Sequence, residues 1–439
     1  MAKQVKSVGN LDRISSLPDP ILCHILSFLP TKDAVRTSVV SPRWRYIFDS
    51  MPILEFQNCL SDISSRLGAE NFKSFVDRLL FFPNHVSLEC FRLYESSLRH
   101  DHYSHLNGRI YGWICAALWR GVKEIDIRYK LLPVLPTFLF TSQSLMTLKL
   151  DINAYMKIPS KVCLPNLKSL HLKNKGFLDG GSIHRLISGC LALEDLVMDL
   201  PKLPKKISEL SIHSLSLKRL TLDFSYSMVI VFPLDFNYTF VINTPNLVYF
   251  KYVGPIAEGY CLMNSLEKAY LNLESGTTAT ISNLLQGICN AKCLHLTIEQ
   301  PEMLRVPPEP VLEFHKLVEL ELKIHKEYRD WQGTWVVQFL RCAPDLESLR
   351  LDLPVPHRVF KPLPLPEEVP PCLLFQLKEI KIRYFEGNKH MFEMIRYFLN
   401  HASVLEALII GIEKDEELSI MKKLLGLPRN SKKCRIVAL

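Results

Sequence analysis

The chain has 439 residues, 48% hydrophobic and 22% charged, with 53 basic and 45 acidic side chains. That composition is globular and excludes a chain that is disordered throughout, collagen-like or a long coiled coil. The net charge of +8 is spread along the length with Glu and Asp interleaved, so we expect no nucleic-acid partner; such proteins gather their basic residues on one face or in runs.

The length suits two or three domains or one long repeat array. Twelve cysteines fall at irregular spacings without a CxxC pair, mostly inside apolar runs. They read as small core residues in a reducing compartment rather than as a disulfide framework. The opening MAKQVKSVGN lacks the apolar stretch of a secretory signal, and no apolar run reaches 18 residues. The expectation is an intracellular protein of nucleus or cytoplasm with no membrane contact. The sequon Asn237-Tyr238-Thr239 is then chance.

In chain order, residues 1–13 read as a disordered tail and 14–50 as a module of three short helices. Asp19 can cap the first helix and Pro20 fits its opening turn. Ile21, Leu22, Ile25, Leu26 and Leu29 follow at helical spacing, and Pro30 stops the helix. Thr31 can cap the second, which carries Val35 and Val39. The third starts at Ser41-Pro42 and carries Trp44, Ile47 and Phe48. Three such helices cannot enclose a core of their own, so the rest of the chain or another protein must cover their apolar side.

Residues 51–121 read as an irregular connecting region with the first repeats. Phe72, Phe75, Val76, Leu79 and Leu80 suggest an amphipathic helix, Val86–Leu93 a strand and Arg109–Trp119 another helix. From 122 to 351 one pattern recurs: apolar, two residues, apolar, one residue, apolar. It begins at Val122–Ile125–Ile127 and Leu145–Leu148–Leu150. Its last instances beyond that span are Leu377–Ile380–Ile382 and Leu405–Leu408–Ile410. Twelve units start between 122 and 405, a mean spacing of about 26 residues, within the range of leucine-rich repeats. The expected fold is an α/β leucine-rich-repeat solenoid of about 12 irregular units. Its strands bury alternate residues, and stretches such as Ile183–Leu186–Ile187 and Trp335–Val336–Phe339–Leu340 supply the other layer. Residues 352–370 form a proline-rich loop, with a shorter one at 301–310. Residues 371–439 read as the last two repeats plus a solvated basic tail containing Lys422, Lys423, Arg429, Lys432, Lys433 and Arg435.

Catalytic signatures are missing: no Walker loop, GxGxxG, HExxH or GxSxG occurs. The run Arg99–His105 has histidines but no defensible zinc spacing, and Cys289, Cys293 and His295 read as packing residues beside a strand. We expect no metal, no cofactor and no catalytic residue.

Two stretches carry a family resemblance. DRISSLPDPILCHILSFLPTKDAVRTSVVSPRWRYIF at 12–48 resembles an F-box. PCLLFQLKEIKI, FLNHASVLEALII and KKLLGLPRNSKKCRIVA within 371–438 resemble the FBD segment of plant F-box proteins. The whole chain resembles the plant F-box/leucine-rich-repeat/FBD family. The resemblance implies a non-catalytic substrate-recognition subunit of an SCF-type ubiquitin ligase. Its partners would be a Skp-type adaptor, through it the cullin and RING subunits, and an unknown protein substrate. Matched to the motif, Leu17, Pro18, Ile21, Leu22, Ile25, Leu26, Leu29, Val35, Val39 and Trp44 would bind the adaptor. Pro20 and Pro42 depart from it, where the family has charged residues.

On each repeat strand, the residue between the last two apolar positions faces the other way. These residues run Asp126, Lys149, His171, Val197, Thr221, Lys251, Tyr270, His295, Glu321, Arg350, Lys381 and Ile409. Lys149, His171, Lys251, Tyr270, His295, Glu321, Arg350 and Lys381 are the candidate substrate-facing side chains, and their cationic excess points to an acidic or polar partner. Two other functions use the same repeats: a non-degradative interaction scaffold, and a small-molecule sensor with a pocket on the concave face.

Overall fold

A computed structural model of the chain describes residues 13–39, 43–44, 47–57, 66–81, 87–94, 107–129, 134–152, 156–174, 180–200, 209–225, 239–254, 256, 263–274, 278–299, 312–324, 333–353, 365–385, 387–412 and 417–439. Asn237 and Tyr238 of the sequon, the histidine run 99–105, the loop 301–310, Pro42 and most of the proline-rich loop lie outside the described residues. The chain forms two compact units: residues 1–177 with 189–192, and residues 178–188 with 193–439.

The first unit opens with helices α1 (Asp19–Leu26) and α2 (Thr31–Arg36), followed by 3₁₀ turns at Thr37–Val39 and Ile47–Ser50. Neither Asp19 nor Thr31 caps a helix, contrary to the sequence expectation. Pro18 and Pro30 occupy the N-cap positions in extended conformation, and both helices begin one residue later. The cap side chains are used elsewhere: Asp19 Oδ1 accepts from Arg43 Nη2 at 2.8 Å, and Thr31 Oγ1 accepts from the Glu55 amide at 2.7 Å. Pro20 sits in the first turn, where its missing N–H has no intrahelical partner to lose.

Next come β1 (Ile53–Gln57), α3 (Arg66–Phe81), β2 (Cys90–Tyr94), α4 (Asn107–Trp119), β3 (Glu124–Arg128), β4 (Thr147–Ile152) and β5 (Ser169–Asn174). The five strands pair in parallel in chain order, with Leu54, Phe91, Ile125, Leu148 and Leu170 in register. Phe56 from β1 meets Phe72 of α3 edge-on at 5.9 Å, and Phe72 meets Trp113 of α4 at 5.8 Å. The helices thus cover one side of the strands.

The second unit contains α5 (Gly180–Ser188), β6 (Asp195–Asp199), β7 (Glu209–His213), β8 (Arg219–Asp223), β9 (Thr239–Asn243), β10 (Tyr249–Gly254) and β11 (Lys268–Leu273). It continues with α6 (Thr278–Gly287), β12 (Cys293–Ile298), β13 (Glu319–Ile324), α7 (Thr334–Arg341), β14 (Ser348–Asp352), α8 (Pro371–Phe375) and β15 (Glu379–Phe385). It ends with α9 (Lys389–His401), β16 (Ala407–Ile412), α10 (Glu417–Leu425) and β17 (Arg435–Ala438). Ten strands form one parallel ladder in the order β6-β8-β10-β11-β12-β13-β14-β15-β16-β17; β7 and β9 pair separately. The small β7–β9 sheet, packed against α5, lies in the returns between β6, β8 and β10.

All twelve anticipated units are strands of these ladders, and each of their three apolar positions is 2% exposed or less. This is a leucine-rich-repeat solenoid: a unit buries its apolar side only against helices and neighbouring units. The ladders also take in β1, β2 and β17, so the repeat number exceeds the expected twelve. The basic end forms a folded cap whose six basic side chains are exposed. It folds as α10 and β17, with Leu424, Ser431 and Cys434 buried and Leu408 in register with Ile436.

Register is set largely by the backbone. Just before most strands, one carbonyl accepts two amides from the next unit. Lys218 O takes the N–H groups of Val248 and Tyr249, Val248 O those of Glu267 and Lys268, and Glu267 O those of Lys292 and Cys293. Exposed ion pairs decorate the same row at Lys218–Glu194, Lys292–Glu267 and Lys378–Glu347, each 2.8–2.9 Å long. Pairs so exposed are worth about 0–1 kcal/mol each, so the carbonyl rungs and the core dominate.

Candidate partner-binding surfaces

The first surface lies on α1. Its apolar stripe is too broad to be covered from one side, and the chain covers half of it. Leu22 and Leu26 are fully buried and Trp44 is 7% exposed, while Ile21, Ile25 and Leu29 are 46%, 38% and 40% exposed. Leu22, Leu26 and Trp44 therefore belong to the interior, not to the partner face expected from the motif. Pro18 and Val39 are exposed, and Leu17 and Val35 half-buried. Two exposed apolar side chains of this module lie outside the expected set: Phe28, 76% exposed, and Ile14, 57% exposed. Phe28 follows Ile21 and Ile25 at i+7 and i+3, a spacing that was readable. His24 meets the Phe28 ring edge-on at 4.9 Å.

Arg43 and Trp44 hold this module together. The Arg43 guanidinium donates to the carbonyls of Ser15 and Leu17 besides Asp19, and Trp44 Nε1 donates to Ser15 Oγ at 2.8 Å. One strand-distant arginine thereby fixes the segment that enters α1.

The second surface is the open side of the strands, opposite the helices. In the first unit the charges of β1–β3 neutralise one another. Arg92 lies between Glu55 (3.0 Å) and Glu124 (3.1 Å). Asp126, 2% exposed, accepts from Tyr94 Oη at 3.0 Å and from Arg128, whose guanidinium lies 4.5 Å from the Tyr94 ring centre. Burial and the Asp126 charge push the Tyr94 phenol up. Lys149 and His171 stand half-buried in register beyond Asp126.

In the second unit, the other six candidates fall on six neighbouring strands in one row: Lys251, Tyr270, His295, Glu321, Arg350 and Lys381. The Tyr270 and His295 rings stack at 4.3 Å and 6°, and Tyr249, not anticipated from sequence, adds a third ring 5.4 Å from Tyr270. His295 Nδ1 lies 3.0 Å from Glu321 Oε2, and its Nε2 lies 3.3 Å from Cys293 Sγ. This Cys–His–Glu chain has the connectivity of a thiol relay. Burial, with Glu319 3.6 Å away, pushes the Cys293 thiol up to about 11. A protonated thiol is a poor nucleophile, so these contacts hold the His295 ring in place. Among the described residues, no group of three or more His, Cys, Asp or Glu side chains is placed to hold a metal ion. None of their helices is long and apolar enough to cross a membrane.

β15 ends in a bulge. Its register with β16 shifts between Ile382 and Phe385, and Tyr384 takes φ 56°, exposed. The shift brings Arg383 within 4.0 Å of Glu321, two strands away.

Comparison with known proteins places the chain in a family. Residues 14–56 match the F-box domain model, and residues 84–436 match the model described as At1g61320/AtMIF1, LRR domain. The chain is 33% identical to the Arabidopsis thaliana F-box/LRR-repeat protein At4g14096, over 92% of this chain and 88% of that one. The chain belongs to the F-box/LRR-repeat family. Another F-box/LRR-repeat relative, At3g59200, is 32% identical over 97% of this chain and 88% of its own length. The F-box/FBD/LRR-repeat protein At2g26030, also from A. thaliana, is 26% identical over 98% of this chain and 99% of its own. In this family member the F-box match covers the half-covered apolar helix, and the LRR match covers most of the strand ladders.

Proposed function

We propose that this F-box/LRR protein is the substrate-recognition subunit of an SCF-type ubiquitin ligase. In this reading, α1 docks on a Skp-type adaptor and through it joins the cullin and RING subunits, and the open strand face holds a target protein. The observation that carries it is the exposed row of Ile21, Ile25, Phe28 and Leu29 on a module that the chain covers from one side only. Burying such a side chain fully is worth about 1.5–3 kcal/mol, and the exposed parts of the four amount to about two full side chains, so they contribute about 3–6 kcal/mol against the roughly 4–15 kcal/mol lost on association. The protein supplies no reacting group. It raises the local concentration of its target beside the charged ubiquitin carrier.

The adaptor-binding module spans 14–50 and the FBD-like end 371–439. The protein works in the intracellular reducing environment, where thiols such as the buried Cys90, Cys342 and Cys372 serve as small core residues. The test is co-purification with a Skp-type adaptor, comparing wild type with an Ile21→Asp/Ile25→Asp variant. Adaptor carried by wild type and lost from a variant with an unchanged melting temperature is the expected result. Wild type that carries no adaptor sinks the proposal.

A further inference from the structure

Charges on the open strand face of the second unit mostly come in pairs. Arg219 lies 3.5 Å from Asp195, Lys323 3.4 Å from Asp352, and Glu321 meets both His295 and Arg383. Lys251, Arg350 and Lys381 break the rule: among the described residues no carboxylate lies within ion-pair distance of any of them. Arg350 and Lys381 are in-register neighbours on adjacent parallel strands, hence about 4.8 Å apart at the backbone, half-buried on the same face. Like charges placed so repel each other. The nearest carboxylates do not offset this: Glu321, in register with Arg350 on β13, is engaged by His295 and Arg383, and Glu379 stands two residues before Lys381 on β15 beyond ion-pair distance.

Between these cations and Lys251 lie the Tyr270–His295 stack, a flat platform two strands wide, and Glu321, whose charge is met by His295 and Arg383. Four strand steps separate Lys251 from Arg350, about 19 Å, the length of roughly six extended residues. Glu319 and Glu379 stand in the row nearer the strand starts. They would repel a strand of nucleic acid, whose charges come at every phosphate, but leave room for one whose anions are spaced.

We propose that this face binds an extended acidic peptide, with carboxylates on Arg350/Lys381 and on Lys251 and an aromatic side chain over Tyr270 and His295. It rests on the receptor reading and names the chemistry of the segment that receptor captures. The stacking platform supplies apolar contact without sequence discrimination, and the separated cations set the spacing of the anions.

The test uses the full chain co-purified with its adaptor and three fluorescent probes. One is an eight-residue peptide with two glutamates at each end and a central tyrosine, the second its lysine counterpart, the third an eight-nucleotide oligouridine. Saturable binding of the acidic peptide is expected, weakened at least tenfold by Arg350→Glu/Lys381→Glu and by raising the salt from 50 to about 200 mM. Tyr270→Ala should weaken it as well. Melting temperatures and adaptor content show that each variant is folded. Acidic-peptide binding that is absent, or unaltered by the double variant, overturns the inference. So does tighter binding of oligouridine or of the lysine peptide. Adaptor retained without peptide binding defeats this inference alone; peptide bound without adaptor defeats the receptor reading and leaves an acidic-peptide scaffold.

Discussion

Phe28 and Leu22 lie six residues apart on one helical module and should fail in opposite ways. Phe28 is 76% exposed and Leu22 fully buried. Covering the remaining three quarters of a side chain whose full burial is worth about 1.5–3 kcal/mol yields about 1–2 kcal/mol on docking. At 1.4 kcal/mol per tenfold, Phe28→Ala should weaken adaptor binding about 5- to 30-fold. Its effect on folding should stay within about 0.5 kcal/mol, because the ring is already in water. Leu22→Ala instead leaves a cavity and should cost about 2–5 kcal/mol of stability in the first unit. Calorimetric titration of a purified Skp-type adaptor into full-length protein, paired with urea unfolding, separates the two. If Phe28→Ala binds as wild type does, the exposed row is not the docking face. If it destabilises the fold as much as Leu22→Ala, the division of the helix into covered and open halves is wrong.

Three further outcomes are expected. Glu274, half-buried after β11 and facing the charges of Glu299 and Asp223, has its carboxyl raised to about 7, chiefly by burial. Its folded form therefore holds a proton that the unfolded chain releases near pH 4.5, and stability should fall as pH rises from about 4.5 to 7; Glu274→Gln should flatten that slope in urea unfolding at pH 5 and 7.5, and parallel slopes would contradict it. Thr244 is 3% exposed and its hydroxyl has no partner among the described residues, so Thr244→Val should raise stability by about 1 kcal/mol in the same assay. Tyr384→Gly should relieve about 1 kcal/mol of left-handed backbone strain at the β15 bulge, and a loss of stability would show that the ring's contacts outweigh the strain.

The repeat strands were legible because their geometry permits one solution. With Leu148 and Leu150 facing helices and Lys149 facing out, the period of two leaves no second register. The same pattern was present, though not recognised, at Met51–Leu54–Phe56 and Leu88–Phe91–Leu93, all buried. β17 breaks it, with Lys433 and Ala438 standing where earlier units carry leucine or isoleucine. As the last strand of its ladder it has one flank fewer to fill. The division of α1 could not be read, since Ile21 and Leu22 are equally apolar and only the packed chain decides which one is covered. Nor could the stacked rings: Tyr249 and Tyr270 lie 21 residues apart, and their meeting depends on the register between β10 and β11. Paired and unpaired cations look alike in sequence, because the carboxylates that neutralise Arg92 come from β1 and β3, on either side of its own strand.

The shared carbonyl rungs bear on how the protein is made. Within each unit, a strand's partner typically lies about 26 residues earlier, a separation near 0.06 of the chain length, as local as the contacts of fast-folding helical bundles (about 0.07–0.12) despite an all-parallel sheet. Synthesis at about 5–20 residues per second delivers one repeat every few seconds, beside a neighbour whose accepting carbonyl is already in place. A nascent chain built this way exposes the apolar side of roughly one unfinished repeat at a time, however long the array becomes.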